Sequence, residues 1–181
     1  MTFQDLVLFA PSETLQRKVL LIGDRDGQIQ KVSSEKRLAE EIIGVESADR
    51  MRLLKALATD SVDFILPNIE EAKIDRSLAT LAKKEGCAVA LSFSHIAKGD
   101  LKRTLARAAR AVETLEYYNA PVLFATFARE PLFARDKRDL EGVLEILGSK
   151  RPEAWLSEAA RIIERNLKRK GEIAPGVKLV E

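Results

Sequence analysis

The chain has 181 residues, 46% of them hydrophobic, which is enough for one domain with a substantial core. Its 30 Lys and Arg side chains against 28 Asp and Glu give a net charge of +2, too small to indicate a class of partner. No run approaches the ~20 consecutive apolar residues of a membrane helix, and residues 1–5 lack the pattern of a signal peptide. The single cysteine, Cys87, excludes an internal disulfide, so we expect a cytoplasmic protein.

Short, almost continuously apolar runs recur along the chain, as is typical of parallel strands buried on both faces. They are residues 6–10, 19–23, 42–45, 62–66, 87–93 and 122–127, and residues 27–32 are a candidate hairpin or edge strand. Helical patterns lie between and after them, over residues 34–41, 49–58, 69–85, 98–118, 136–147 and 152–170. Gly86 and Gly148 directly follow two of these helices, where C-terminal caps are expected.

The alternation of strands and helices predicts parallel βαβ units in a single α/β domain over residues 1–181. Six or seven strands are too few for a regular eight-stranded barrel of about 250 residues. An open doubly wound sheet and a reduced or irregular TIM-like barrel with about six or seven parallel strands both fit the pattern. Periodicity alone does not distinguish these two folds.

The residue types that most catalytic sites need are scarce. His95, expected in a loop after the fifth strand, is the only histidine, so a zinc site, which often uses two or more, would lack ligands. No nucleophile-elbow pattern accompanies it, and no phosphate-binding glycine loop of the Walker or dinucleotide type occurs. Asp24 and Asp26 could bind a divalent cation, but two carboxylates in a turn are usually solvated.

Positive charge is concentrated in the second half of the chain. Residues 1–90 hold 13 basic and 15 acidic side chains, whereas residues 91–181 hold 17 and 13. A polyanion would therefore be attracted to the second half, although ordinary variation also explains a difference of this size.

One predicted helix carries part of this charge. Wound at about 100° per residue, residues 98–115 place an apolar stripe on one face and three arginines on the opposite face. The stripe is Leu101, Leu105, Ala108, Val112 and Leu115, and the arginines are Arg103, Arg107 and Arg110. Guanidinium groups suit phosphate recognition, but a solvated helix face needs charges as well.

A second basic cluster follows the last predicted strand. Arg129 lies at the strand end, where the loops of α/β barrels build their sites. Arg135, Lys137 and Arg138 follow within nine residues, at the start of the next predicted helix. This cluster is the strongest sequence candidate for binding a polyanion.

Two further groups are ambiguous. Arg165 and Lys168 lie near the end of the last predicted helix, where positive charge also complements the helix dipole. Phe127 and Phe133 flank the Arg129 segment and could stack on unpaired bases. Their apolar neighbours instead favour a place in the core for both phenylalanines.

Four segments carry a resemblance to a known family through their order and spacing. They read DFILP at residues 63–67, CAVALS at 87–92, APVLFATFAR at 120–129 and RDKRDL at 135–140. In this order they resemble the archaeal ribonuclease P protein component 3 family. The resemblance extends over roughly residues 42–181, and the N-terminal third departs from the family pattern.

The resemblance implies a barrel related to the polymerase-and-histidinol-phosphatase phosphoesterases that lacks their metal site. It implies an accessory subunit without catalytic residues or a bound cofactor, which assists a catalytic RNA in removing 5′ leaders from precursor tRNA. Mg²⁺ is then expected on the RNA. The expected partners are this RNA, precursor tRNA and a second ribonuclease P protein, in a heterodimer or heterotetramer. The RNA contacts are expected from Arg129, Arg135, Lys137 and Arg138, then Arg103, Arg107, Arg110, Arg165 and Lys168.

Two other functions stay open on the residues alone. A stand-alone small-molecule enzyme could use strand-end carboxylates such as Glu46 and Asp63, with His95, and would have a pocket with a perturbed carboxylate. A protein-binding scaffold would show an exposed apolar patch and no salt-sensitive affinity for RNA.

Overall fold

The computed structural model describes residues 5–7, 16–22, 42–98, 100–170, 172–174 and 177–178. A parallel sheet of six strands follows chain order: β1 (Asp5–Val7), β2 (Gln16–Ile22), β3 (Ile42–Ser47), β4 (Phe64–Pro67), β5 (Ala88–Ser92) and β6 (Val122–Ala125). A separate antiparallel pair comprises β7 (Glu172–Ala174) and β8 (Val177–Lys178). The predicted α/β class with parallel strands is confirmed. The candidate hairpin at 27–32, the helix at 34–41, Asp24 and Asp26 lie outside the described residues.

The helices of the described part are α1 (Arg50–Leu57), α2 (Arg76–Glu85), α3 (Phe93–Lys98), α4 (Leu101–Tyr117), α5 (Lys137–Ile146) and α6 (Pro152–Lys170). Aspartates cap the amino ends of four of them, because a short carboxylate accepts from the otherwise unpaired N–H groups of the first turn. These caps are Asp49, Asp75, Asp100 and Asp136. None of the helices described is both long and apolar enough to span a membrane.

Two predicted helices begin later than the periodicity indicated. The helix expected from residue 69 starts at Arg76, because Asn68 forms a turn whose carbonyl accepts from Glu71 and Ala72. The helix expected over residues 98–118 is α4, which begins at Leu101 after its cap at Asp100, and Lys98 instead ends the separate helix α3. Gly86 and Gly148 adopt positive φ of 67° and 81° after α2 and α5, as predicted.

Both faces of the sheet are buried over strands β3 to β6. One face packs against α1 to α5 and contributes Ile43, Val45, Ile65, Val89, Leu91 and Phe124. The other face contributes Ile42, Phe64, Leu66, Ala88, Ala90, Leu123 and Ala125, and packs against Ala159 and Ile162 of α6. Alternating residues of β3 to β6 therefore enter two different hydrophobic clusters, which explains why these strands are continuously apolar in sequence.

The segment after β6 returns to β1. The backbone N–H of Phe127 donates to the carbonyl oxygen of Leu6 at 2.9 Å, and the Phe127 ring lies 5.5 Å from the ring of Phe64. Gly44 faces Phe64 across the β3–β4 pair, and a Cβ there would overlap the Phe64 ring. Phe127 has a φ of 47°, unusual for a bulky residue, and is 3% exposed. Its buried ring and hydrogen bond hold this conformation, which directs the chain out to Arg129.

Candidate nucleic-acid interface

The segment that follows β6 presents cationic and apolar side chains at the carboxyl end of the sheet. We call residues 129–138 the rim segment. Arg129 is exposed, and the 3₁₀ turn Pro131–Phe133 leaves Leu132 79% and Phe133 45% exposed. The prediction that Phe127 belongs to the core is confirmed. The same prediction for Phe133 is wrong, because the turn carries its ring to the surface.

Arg135 orders the rim segment from within. Its Nη1 donates to the carbonyl oxygens of Leu132 at 3.1 Å and Ala134 at 2.8 Å. Its guanidinium carbon also lies 5.7 Å from the centre of the Phe93 ring, within the range of a cation–π contact. Because a guanidinium has five N–H donors, Arg135 can fold this segment and still donate to a phosphate.

Lys137 and Arg138 continue the rim segment into the first turn of α5. Both side chains are exposed. Asp136 caps this helix by accepting from the N–H of Asp139 at 2.9 Å. The structure thus brings the four residues of the second predicted cluster together on one segment at one end of the sheet.

The three arginines of α4 lie in a different environment. Arg103 and Arg110 are exposed, whereas Arg107 is half-buried and donates to the carbonyl oxygen of Ile69 at 3.4 Å. Arg107 and Arg110 line a cavity of about 610 Å³ together with Lys73, Glu71 and Glu113. Of the predicted apolar stripe, Ala108, Val112 and Leu115 are buried, Leu105 is half-buried and Leu101 is 58% exposed. Leu101 therefore departs from the expected packing, because it lies in the first turn of the helix.

Arg165 has a structural role at the opposite end of the sheet. Its Nη2 lies 3.3 Å from Oδ1 of Asp63, and its Nη1 donates to the carbonyl oxygen of Gly86 at 3.0 Å. Asp63, which is 1% exposed and lies just before β4, also accepts from the backbone N–H of Ile43 at 2.8 Å. Lys168 belongs to α6, and its side chain lies outside the described part.

His95 and Glu46 meet at the carboxyl end of the sheet, with Nε2 and Oε1 3.1 Å apart. His95 lies in α3 and not in the loop expected from the sequence, because a helix starts directly after β5. Asp63 lies at the amino end of β4, so the three residues of the hypothetical enzyme site are not assembled. Among the described residues, no three His, Cys, Asp or Glu side chains are grouped as metal ligands would be.

The chain is similar in structure to a protein chain in the cryo-EM structure of archaeal ribonuclease P with mature tRNA. The TM-score is 0.78 at 20% sequence identity, and the match covers 94% of this chain and 78% of that one. The two chains share one fold. Neither a protein-family model nor a curated protein sequence matches the chain.

Proposed function

We propose that the chain is a protein subunit of archaeal ribonuclease P, which assists a catalytic RNA in removing 5′ leaders from precursor tRNA. The observation that carries this proposal is the fold it shares with a protein chain of archaeal ribonuclease P bound to mature tRNA, at a TM-score of 0.78. The four segments that resemble protein component 3 support the narrower assignment to that family. The endonuclease activity then belongs to the holoenzyme, and this chain supplies no catalytic residue.

The six parallel strands are proposed to form a reduced TIM-like barrel. The hydrogen bond from Phe127 to Leu6 supports this, because it joins the segment after the last strand of the sheet to the first strand. In a barrel this arrangement removes the exposed sheet edges. Loops at the carboxyl ends of the strands then carry the binding surface, as in other α/β barrels.

The rim segment is proposed as the main RNA contact, through Arg129, Arg135, Lys137 and Arg138. Phosphate neutralisation by such side chains supplies most of the salt-dependent affinity of a protein for nucleic acid. The arginines of α4, Arg103, Arg107 and Arg110, form a secondary contact, and Lys168 is retained with them. Arg165 is less suited to RNA, because Asp63 and Gly86 engage its guanidinium.

The other assignments follow from the same proposal. The protein partner is a second ribonuclease P protein, in a heterodimer or heterotetramer. The required Mg²⁺ is bound by the RNA, whose many phosphates attract it, and not by this chain. The assembly is proposed to be cytoplasmic.

Reconstitution of precursor-tRNA cleavage tests the function. Adding this chain to the cognate catalytic RNA and the other protein subunits is expected to raise the cleavage rate or lower the Mg²⁺ requirement. Charge reversal at two exposed rim residues, Arg129→Glu with Arg138→Glu, is expected to remove that gain. The same pair should reduce the salt slope of RNA binding by about two, one for each phosphate contact.

The control is the pair Lys83→Glu and Lys84→Glu on α2, which makes the same change of charge at exposed positions away from the rim. This pair is expected to keep the stimulation. A chain that neither stimulates cleavage nor binds the RNA or a second subunit at low salt contradicts the proposal. The paired His95 and Glu46 would then be the place to search for a small-molecule substrate.

Exposed Phe133 is expected to stack on an unpaired base, because aromatic rings beside cationic groups bind single-stranded RNA in this way. Phe133→Ala should weaken RNA binding by about 1–2 kcal/mol and leave the salt slope unchanged. Phe133→Trp should retain the affinity, and Leu132→Ala provides a matched loss of exposed apolar surface. Affinities measured at several salt concentrations check this. Equal losses from Phe133→Ala and Leu132→Ala would indicate an apolar contact and not stacking.

A further inference from the structure

A cleft between α5 and α6 carries four cations, and three of them lie outside the rim segment. Its volume is about 800 Å³, and Lys137, Lys150, Arg151 and Arg161 line it. Glu141 and Glu153 line it as well, so the formal charge of the lining is +2. An excess of fixed positive charge in a concave surface concentrates anions there.

A single carboxylate fixes the loop that carries two of these cations. One oxygen of Glu116 accepts from Oγ of Ser149 at 2.6 Å and from Nε1 of Trp155 at 3.0 Å. The other oxygen accepts from the backbone N–H of Lys150 at 3.0 Å. The Trp155 side chain is fully buried. The α5–α6 turn is therefore anchored to the core, and the positions of Lys150 and Arg151 are set before any ligand binds.

The two arginines of the cleft are also held in place. Arg151 donates from Nη1 to Oδ1 of Asn119 at 3.2 Å, and Nη1 of Arg161 lies 3.4 Å from Oε2 of Glu158. Both arginines also line a second cavity of about 300 Å³, which includes Pro121 before β6. The cationic surface thus continues from the start of α5 past α6 toward the amino end of β6.

The two lysines of the cleft are exposed, and within the described part of the chain neither ammonium group has an ion-pair partner. A lysine without a partner can neutralise an incoming anion without first breaking an ion pair. The backbone N–H of Lys150 already donates to Glu116, and Pro152, the first residue of α6, has no backbone N–H. Anion binding in the cleft is therefore assigned to the lysine and arginine side chains.

We propose that this cleft is a second RNA-binding site, which takes phosphate groups of the RNA backbone. The proposal rests on the proposed function and names a contact surface beyond the rim segment. Spaced phosphates fit better than a compact polyphosphate, because Glu141 and Glu153 interrupt the positive charge. Lys137 belongs to both surfaces, so one RNA strand can pass from the rim segment into the cleft.

The test compares two pairs of substitutions that remove the same charge. Lys150→Gln with Arg151→Gln changes the cleft, and Lys83→Gln with Lys84→Gln changes exposed α2 residues. Affinity for the cognate catalytic RNA is measured with each full-length protein at several salt concentrations. The cleft pair is expected to reduce the salt slope by about one to two and the α2 pair by much less. The charge-conserving pair Lys150→Arg with Arg151→Lys should restore the slope of the wild-type protein.

Each other outcome overturns the proposal in a distinct way. Equal slopes for the cleft and α2 pairs would show that only net charge matters. Loss of binding to the second protein subunit, with an unchanged RNA slope, would assign the cleft to a protein partner. If the cleft pair is neutral while Arg129→Glu with Arg138→Glu abolishes stimulation, the proposed function stands and the cleft site does not. If the cleft pair has less helical content than the wild-type protein, and the charge-conserving pair does not restore the salt slope, the cleft residues serve folding alone.

Discussion

Replacing Asp63 with alanine is expected to lower the free energy of unfolding by about 3 kcal/mol, toward the lower end of the range for breaking a buried ion pair. The carboxylate is 1% exposed and holds two elements: it accepts from the N–H of Ile43 and pairs with Arg165 of α6. Alanine would leave the Ile43 N–H without its acceptor and the Arg165 guanidinium without its ion-pair partner. We expect a loss of stability near the lower end of that range because the Arg165 side chain is one-third exposed and can still reach water.

Urea denaturation of the full-length protein measures this effect. Asp63→Asn keeps an acceptor for Ile43 but removes the charge, so it should cost less than Asp63→Ala. Glu70→Ala, which removes an exposed carboxylate, is the control and should change the stability by less than about 0.5 kcal/mol. A loss below about 1 kcal/mol for Asp63→Ala contradicts a structural role for the pair.

The contact between Asp63 and Arg165 also distinguishes a structural role from RNA binding among the basic residues that the sequence offers as RNA contacts. Arg165 was a candidate RNA contact because it is basic and lies near the end of α6. Its partners Asp63 and Gly86 are 102 and 79 residues away in the chain. Substitution of Arg165 should therefore lower stability, whereas substitution of exposed Arg129 should change RNA affinity and leave stability nearly unchanged.

Much of the fold was predictable from local sequence. The parallel strands were predictable because residues on both faces of the sheet enter hydrophobic clusters, so Phe64 to Leu66 and Ala88 to Leu91 are apolar without alternation. The first residues of α2 and α4 were also predictable, since Asp75 and Asp100 are typical capping residues. Apolar periodicity predicted that both helices begin before these caps, so it was the less reliable guide to where each helix starts.

The contacts that define the sites were not predictable in this way. Phe133 has apolar neighbours in sequence, yet a single 3₁₀ turn at the end of the sheet exposes its ring. The α5–α6 cleft depends on Glu116 meeting a turn more than 30 residues further along the chain. Such pairings follow from how helices pack on the sheet, and no local pattern of residues encodes them.

Substitution of Glu116 is expected to have the second large effect on the free energy of unfolding. Burial alone would raise the pKa of this carboxyl, but hydrogen bonds from Ser149, the backbone of Lys150 and Trp155 outweigh it and hold the pKa below its usual range. A carboxyl whose pKa is lower in the folded state contributes stability above its unfolded-state pKa and loses it as the pH falls through the folded-state pKa. We expect Glu116→Gln to lower the free energy of unfolding by about 1.5–3 kcal/mol near neutral pH, since an amide has one acceptor oxygen where the carboxylate has two.

The difference between wild type and Glu116→Gln should shrink as the pH is lowered into the acidic range, because protonation removes the same charge from the wild-type protein. Urea denaturation followed by the fluorescence of Trp155, the only tryptophan, measures it at each pH. Glu113→Gln, an exposed change in the same helix, is the matched control and should be nearly neutral. If the two variants lose equal stability, or if the Glu116→Gln difference persists unchanged in acid, the carboxylate does not anchor the turn. A confirmed loss would show that the turn carrying Lys150 and Arg151 is fixed by the core, which the proposed phosphate site in the cleft requires.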